Sequence, residues 1–163
     1  MLTKKVDEIV NLIDKAYSIA KEIGIRNLFY NERFLELMIA KKLGHKASIN
    51  TQGCDAIDEY GNSIEYKTIN LANKTAGSFQ FHWLSKNKIE KYQKTKYIYF
   101  VVRDGVEIIK IYKLSSNKLL PELIAKAKEK GTYCDTETKI GAHKSYCLNT
   151  IIRKGAKLVY ENK

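Results

Sequence analysis

This chain has little proline and cysteine and lacks long flexible segments. The 163 residues include one proline and three cysteines, and no long stretch is rich in glycine, serine and proline. A flexible linker between two domains is therefore not expected. Cys54, Cys134 and Cys147 are odd in number and contain no close pair, which argues against a disulfide framework and against a CxxC-type zinc site.

Long hydrophobic runs are also missing. No segment is long enough to cross a bilayer, and residues 1–5 lead into an amphipathic pattern rather than the apolar core of a signal peptide. We therefore expect a cytoplasmic protein with reduced thiols and no membrane partner. The length, with 44% hydrophobic and 29% charged residues, predicts one globular domain with a substantial core.

Acidic residues are in the minority. Eighteen Asp and Glu oppose 29 Lys and Arg, which gives a net charge of +11. A basic balance of this size favours a polyanionic partner, nucleic acid first and an anionic membrane surface second. Charge alone is equally compatible with a lysine-rich solvated surface.

The N-terminal third has the spacing of two helices. Apolar residues from Val6 to Ala20 recur at helical intervals, which predicts a helix from Lys4 to about Ile23. Its apolar stripe could cover the core or a second copy of the chain. A second helix is expected from Glu32 to about Leu43, with Asn31 as its N-cap. Glu32 or Glu36 could reach a neighbouring site, although a helical glutamate is more often solvated.

The rest of the chain alternates between strand and helix patterns. Strands are predicted at 97–102 and 106–114, helices at 86–94 and after Ser116, a loop at 132–146, and one or two strands within 147–160. This order predicts an α/β (α+β) fold, in which helices pack on a mixed β-sheet.

The stretch from Gly53 to Lys67 carries the chemistry. It has the pattern of two short strands joined by the turn 59–61, with Gly61 last, where a left-handed residue is often required. That register places Asp55 opposite Glu65, with Cβ atoms about 5 Å apart. Lys67 lies two residues beyond Glu65 and therefore on the same face. A register shifted by one residue would separate the two carboxylates.

Two carboxylates and a lysine on one patch suit metal-assisted cleavage of a phosphodiester. Mg²⁺ prefers a few carboxylate oxygens, several waters and substrate phosphate oxygens, and Asp55 and Glu65 fit that role. The Tyr66 carbonyl could be a further metal ligand. Lys67 would stand beside the activated water and offset developing negative charge. By itself the spacing is a weak signal, because Glu65 and Lys67 could form a solvated ion pair on an edge strand.

The hairpin also resembles that of a known group of enzymes. Asp55, the turn and Ile64-Glu65-Tyr66-Lys67 resemble the catalytic hairpin of the PD-(D/E)xK nuclease superfamily. Within it, the chain resembles a type II restriction endonuclease over nearly its full length. The segments that carry this likeness are 20–29, 55–58, 65–70, 89–92 and 155–157.

The resemblance implies a restriction-endonuclease-like fold, with a mixed central β-sheet flanked by helices. It implies one nuclease domain over residues 1–163, in which 1–45 are helical and mediate dimerisation and 46–163 form the catalytic and DNA-recognition core. It further implies a homodimer that embraces double-stranded DNA, with Mg²⁺ as cofactor and Mn²⁺ as a substitute. Asp55, Glu65 and Lys67 would be catalytic, and Asp55, Glu65 and Tyr66 would hold the metal. A cognate DNA methyltransferase is expected in the same system, without direct contact.

The residues that would read DNA depart from the family pattern. Cys54 replaces the proline of the superfamily's name, and of a run of base-reading histidines only His82 remains. Asn31 stands where the relative has an aspartate that faces the minor groove. We therefore expect a different or a relaxed recognition sequence. The candidate DNA-binding residues are His82, Trp83, Asn31, Ser78, Gln80, Lys86, His143 and Ser145.

Three functions follow from these patterns. The leading hypothesis is a Mg²⁺-dependent type II restriction endonuclease that hydrolyses both strands at a short palindromic site. A structure-selective or repair nuclease of the same superfamily is the second, and it would cut branched or damaged DNA in preference to linear duplex. The third is a non-catalytic basic DNA-binding protein, which would be indifferent to metal and to Asp55→Ala.

Overall fold

The computed structural model describes residues 2–49, 53–73, 77–134 and 142–162, apart from the side chains of Leu2, Thr3 and Asn31. Within these ranges the helices are α1 (Leu2–Glu22), α2 (Arg33–Leu43), α3 (Lys86–Lys94), α4 (Leu120–Glu129) and α5 (Leu148–Arg153). The strands are β1 (Lys46–Ala47), β2 (Ala56–Ile57), β3 (Ser63–Asn70), β4 (Phe79–Leu84), β5 (Tyr97–Asp104), β6 (Glu107–Ser115), β7 (Ala142–Tyr146) and β8 (Lys157–Glu161).

The described strands form two sheets. Six of them are ordered β1-β2-β3-β5-β6-β8, and β4 pairs with β7 in a separate two-stranded sheet. Within the larger sheet β3 and β5 are parallel, whereas the other pairs are antiparallel. A parallel pair requires a crossover connection, and here the crossover contains β4 and α3. The predicted α+β fold with a mixed sheet flanked by helices is confirmed.

The core lies on both faces of β5. Ile98, Phe100 and Val102 point to a cluster that β4, α3 and α4 cover. Tyr99 and Val101 point to the opposite cluster, which α2 covers through residues such as Ile39. Burial on both faces explains why β5 is a continuous apolar run rather than an alternating one.

Helix α1 packs on the rest of the chain only near its C-terminal end. Ala20 is 5% exposed and joins Ile25 and Leu28 in a small cluster. By contrast, the predicted apolar stripe lies in solvent, with Val6, Ile9, Val10, Ile13 and Tyr17 between 43% and 56% exposed. The helix is therefore an amphipathic element whose apolar face is not covered by any part of the chain that the structure describes.

The start of α2 differs from the prediction. Asn31 is not the N-cap, because a 3₁₀ turn over Tyr30–Glu32 precedes the helix and Glu32 occupies the capping position. Glu32 has a left-handed φ of 60° and makes no capping hydrogen bond; its carboxylate instead pairs with Arg103 and accepts from the Thr68 hydroxyl. The predicted end of the helix at Leu43 and Gly44 is confirmed.

In the C-terminal third one prediction was wrong and another was incomplete. The expected loop at 132–146 includes strand β7, while residues 135–141 lie outside the described ranges. The central residues of β7 are polar and give no strand pattern, and the strand forms because it pairs with β4. A strand predicted within 147–160 is confirmed as β8, but the chain before it forms α5. Tertiary packing buries Ile151 on one face of this helix, although β-branched residues favour strands.

Ser116 does not cap α4. It belongs to a 3₁₀ turn over Ser116–Lys118, and its buried hydroxyl donates to the Thr95 carbonyl. The helix begins at Leu120, with Pro121 in its first turn, where proline is tolerated. None of the described helices is long and apolar enough to cross a membrane.

Candidate active site

The hairpin of β2 and β3 has the predicted register. Ala56 lies opposite Ile64 and Ile57 opposite Ser63. Asp55 immediately precedes this pairing, and its N–H donates to the Ile64 carbonyl at 3.0 Å, which brings Asp55 beside Glu65. Gly61 closes the turn with a φ of 78°, and its N–H donates to the Asp58 carbonyl at 3.0 Å. The Asp58 carboxylate accepts the N–H groups of Tyr60 and Asn62 at 3.0 and 2.8 Å. These bonds fix the turn, and with it the register on which the site depends.

Glu65 and Lys67 form a buried ion pair on β3. Glu65 is 3% exposed, and its Oε1 accepts from Lys67 Nζ at 2.8 Å. Lys91 of α3 places its Nζ 3.0 Å from Oε2, in an orientation that does not make a hydrogen bond. Burial alone would raise the pKa of Glu65, but Lys67, Lys91 and Lys88 outweigh it and hold the pKa at about 2. Glu65 is thus a carboxylate at every working pH.

Lys67 is held as an ammonium ion. Burial by itself would lower its pKa, but the adjacent Glu65 carboxylate reverses this and raises the pKa of Lys67 above its ordinary value. Its Nζ also lies 5.4 Å from the ring centre of Phe81 and 5.7 Å from that of Tyr92. These aromatic faces favour a cation.

Asp55 differs sharply from Glu65. Its Oδ2 accepts the Tyr66 backbone N–H at 2.7 Å. Burial, followed by repulsion from Glu65 and Glu36, raises the pKa of Asp55 to about 7. Two carboxylates on one face therefore have pKa values on opposite sides of the ordinary range, and a cation between them would relieve the repulsion.

The three residues line a cleft of about 960 Å³. From α2, Arg33 and Glu36 reach the same cleft and form an ion pair with each other. Burial raises the pKa of Glu36, which indicates that this glutamate is not simply solvated. From α3 come Lys88, Lys91 and Tyr92.

The donor set fits a hard divalent cation. Within the described ranges, no three His, Cys, Asp or Glu side chains are grouped so as to hold a metal by themselves. Mg²⁺ needs no such cage, since one or two carboxylates, water and substrate phosphates suffice. Asp55 and Glu65 supply the carboxylates, and Glu65 Oε2 is a buried acceptor without a hydrogen bond. A cation would use that oxygen.

Comparison with known proteins agrees with this geometry. The family model described as Restriction endonuclease PvuII matches residues 2–160, nearly the whole chain. The chain belongs to the PvuII restriction endonuclease family. It is therefore a type II restriction endonuclease, a site-specific deoxyribonuclease that acts on DNA, and its fold is restriction-endonuclease-like. No curated protein matches it. Enzymes of this kind generally use a divalent metal and typically act as dimers.

Most of the residues predicted to read DNA in this PvuII-family enzyme lie on the two-stranded sheet. Ser78, Gln80, His82 and Trp83, on or beside β4, line the active-site cleft. Gln80 lies opposite Ser145 of β7, and His82 Nδ1 is 2.9 Å from His143 Nδ1. The exposed faces of β4 and β7 thus bring six of the eight candidates together.

Three predicted site residues need separate comment. Lys86 begins α3 and is not among the residues that line the cleft. The side chain of Asn31 lies outside the described part of the structure. The Tyr66 side chain turns to the opposite face of β3, where its hydroxyl pairs with His45 Nδ1 at 2.9 Å, so that only its backbone could serve a metal.

Among the cleft residues that the sequence analysis missed are Arg33, Tyr92 and Arg103. Each is buried, and Tyr92 has a buried hydroxyl without a hydrogen-bond partner. Arginine at the start of an apolar helix and at the end of an apolar strand is a faint signal of burial. Tyr92 gives no signal in sequence, because its approach to Lys67 depends on how α3 packs.

Proposed function

We propose that this enzyme hydrolyses both strands of duplex DNA at a short palindromic site in a Mg²⁺-dependent reaction, with Mn²⁺ as a substitute. The observation that carries the proposal is the convergence of Asp55, Glu65 and Lys67 at the cleft. The family match gives the reaction class. The cleft supplies groups that suit this reaction without a covalent intermediate.

Asp55, Glu65 and the Tyr66 carbonyl are the groups that would hold the cation. When bound, Mg²⁺ polarises a phosphoryl oxygen and lowers the pKa of a bound water. Glu65 is ionised already, whereas Asp55 must lose its proton before it can bind metal. The Tyr66 N–H orients the Asp55 carboxylate toward the site by the 2.7 Å hydrogen bond.

Lys67 has an electrostatic role. Because Glu65 raises its pKa, the side chain keeps its proton and cannot take one from water. An ammonium group beside the scissile phosphate instead stabilises the negative charge that develops in the transition state. The Phe81 and Tyr92 rings restrict its position, so that it is oriented before the substrate arrives.

A homodimer with one active site in each subunit accounts for cleavage of both strands. Two-fold symmetry in the protein matches two-fold symmetry in a palindrome. The exposed apolar face of α1 supports residues 1–45 as the dimerisation region, and residues 46–163 would form the catalytic and recognition core of a single domain. A cognate DNA methyltransferase would protect the same sequence without contacting this chain.

Cleavage of unmethylated plasmid and genomic DNA tests the proposal. Discrete fragments are expected with Mg²⁺ or Mn²⁺ and none with EDTA. Lys67→Ala should lower the single-turnover cleavage rate by about 100- to 1000-fold, because it removes one preorganised charge. Binding to the same DNA in Ca²⁺ should change little, as judged by gel shift.

Glu90→Ala is the matched control, since Glu90 lies on α3 but is not among the residues that line the main cleft. It should cut at the wild-type rate. An absence of cutting by wild-type protein on diverse unmethylated duplexes, with either metal, would overturn the proposal. Preferential cutting of branched DNA would favour the structure-selective alternative.

A further inference from the structure

The β4–β7 pair contains a bulge that concentrates three aromatic rings at one point. Phe81 lies opposite Lys144 and Leu84 opposite Ala142, so two residues of β4, His82 and Trp83, oppose only His143. The backbone accommodates the extra residue at Trp83, which has a left-handed φ of 56° that a non-glycine residue rarely adopts.

The bulge brings His143 between the other two rings. Its ring centre is 5.1 Å from that of His82 and 5.1 Å from that of Trp83, with interplanar angles of 69° and 65°. His82 Nδ1 and His143 Nδ1 are 2.9 Å apart, a hydrogen-bonding distance. Both histidines are exposed, so their outer nitrogens are available to a ligand.

A hydrogen bond between two neutral imidazoles fixes both tautomers. The ring that donates from Nδ1 has its proton there, so its Nε2 is an unprotonated acceptor. The ring that accepts at Nδ1 must be protonated at Nε2, which makes that nitrogen a donor. The pair therefore offers one donor and one acceptor outward, and neither ring can change tautomer without the other.

We propose that His82 and His143 read DNA as one coupled unit, whose opposite tautomers recognise a hydrogen-bond donor and an acceptor side by side in the major groove. This inference rests on the proposed cleavage of duplex DNA and adds the chemistry of recognition to it. A two-stranded β-ribbon fits the major groove. Trp83, 62% exposed, packs on His143 and limits the orientation of the pair.

The base edges that match follow from this pattern. Adenine presents N7 as an acceptor and N6 as a donor, whereas guanine presents two acceptors, N7 and O6. The neutral pair is therefore complementary to adenine, or to a cytosine beside an acceptor. Against guanine, the acceptor of the neutral pair faces a second acceptor and forms no hydrogen bond. An unpaired polar group at an interface is costly.

Acid changes the pattern in a defined way. One added proton turns the outward acceptor into a donor and leaves the inner hydrogen bond in place, so the pair then presents two donors, as guanine requires. Burial, then His143 of β7 and Lys67 of β3, lower the pKa of His82. Both His143 and Lys67 therefore favour the neutral form of His82.

Histidine-labelled protein provides a direct test, since the chain has only three histidines. Nitrogen chemical shifts at pH 8 should show one of His82 and His143 protonated at Nδ1 and the other at Nε2. His143→Gln should release His82 to a mixture of tautomers, while His45→Gln, used for assignment, should leave both unchanged. The same Nε2–H tautomer at both positions would overturn the proposal, as would no response of His82 to His143→Gln.

Run-off sequencing of genomic fragments tests the reading role. At pH 8 one position in each half-site should favour adenine or cytosine, and at pH 6 guanine should gain at that position by about tenfold or more, which is about 1.4 kcal/mol. His143→Gln should lose this pH response. An identical site at both pH values would contradict the coupled unit. Loss of all cutting in Mg²⁺ would instead contradict the proposed function, and the tautomer measurement would still stand.

Discussion

Asp55 changes its protonation state near neutral pH. Its pKa of about 7 results from burial, then from the Glu65 and Glu36 carboxylates nearby. Glu65 on the same face has a pKa of about 2, because three lysines surround it. Near neutral pH, therefore, Glu65 is ionised in every molecule, whereas Asp55 has a proton in about half of them.

Metal affinity should rise with pH. Asp55 is about one-tenth ionised at pH 6 and about nine-tenths ionised at pH 8 for a pKa near 7. We expect Mg²⁺ or Ca²⁺ to bind about tenfold more tightly at pH 8 than at pH 6, as measured by calorimetry without DNA. Asp55→Asn should remove this pH dependence. Equal wild-type affinity at both values would contradict the assignment of Asp55 as a ligand.

When metal is absent, the ionised Asp55 carboxylate should destabilise the folded protein. A carboxyl whose pKa is raised in the folded state keeps its proton to a higher pH than it does in the unfolded chain. The free energy of unfolding therefore falls as pH rises from about 4 to about 7. In EDTA at pH 8, Asp55→Asn should be more stable than wild type by about 1 kcal/mol or more. Below pH 4 the two proteins should unfold alike, since both carry a neutral side chain. Urea titrations at both pH values measure the difference.

At the scale of elements, the β2–β3 hairpin was predictable because its turn residues are local. Gly61 and Asp58 determine the turn, and the turn sets the pairing of Ala56 with Ile64 that brings Asp55 beside Glu65. Helix α3 and strand β5 were also predictable, since the pattern of apolar residues in each follows from burial on one face of α3 and on both faces of β5. The likeness to restriction endonucleases added the roles of these residues, which spacing could not supply.

The β7 strand and the bulge in β4 could not be predicted, because both depend on partners distant in sequence. His82 and His143 are separated by 61 positions, and nothing local shows that their rings meet. Likewise Glu32 looked like a helix residue, yet its contact with Arg103 spans 71 positions and coincides with a left-handed backbone. Local patterns thus gave the catalytic hairpin and not the geometry of the reading surface.

The left-handed backbone conformation of Trp83 should lower the stability of variants that have a β-carbon at this position. A residue with a β-carbon pays about 1–2 kcal/mol in this conformation, and glycine does not. We expect Trp83→Gly to be about 1 kcal/mol more stable than Trp83→Ala. Unfolding should be followed by circular dichroism, because Trp83 is the sole tryptophan. Equal stability of the two variants would argue against the positive φ.

At the scale of the whole molecule, α1 leaves an apolar face uncovered. A second copy of the chain is the proposed cover, and a buried carboxylate in such an interface would cost several kcal/mol. Val10→Asp should therefore weaken dimerisation by more than about 100-fold, as seen by sedimentation at micromolar concentration. Asn11→Asp adds the same charge one residue away on the polar face and should leave the dimer intact. A wild-type monomer, or a dimer insensitive to Val10→Asp, would refute this arrangement.

The crossover between β3 and β5 has a consequence for synthesis. Strand β3 leaves the ribosome before its neighbour β5, and the chain that joins them contains β4 and α3. Lys91 and Tyr92, which line the cleft beside Glu65, also belong to that connection. The cleft is therefore completed only after β4, the strand on which we propose that DNA is read, has been synthesised. A growing chain that lacks β4 also lacks Lys91 and Tyr92, and so has only part of the proposed catalytic site.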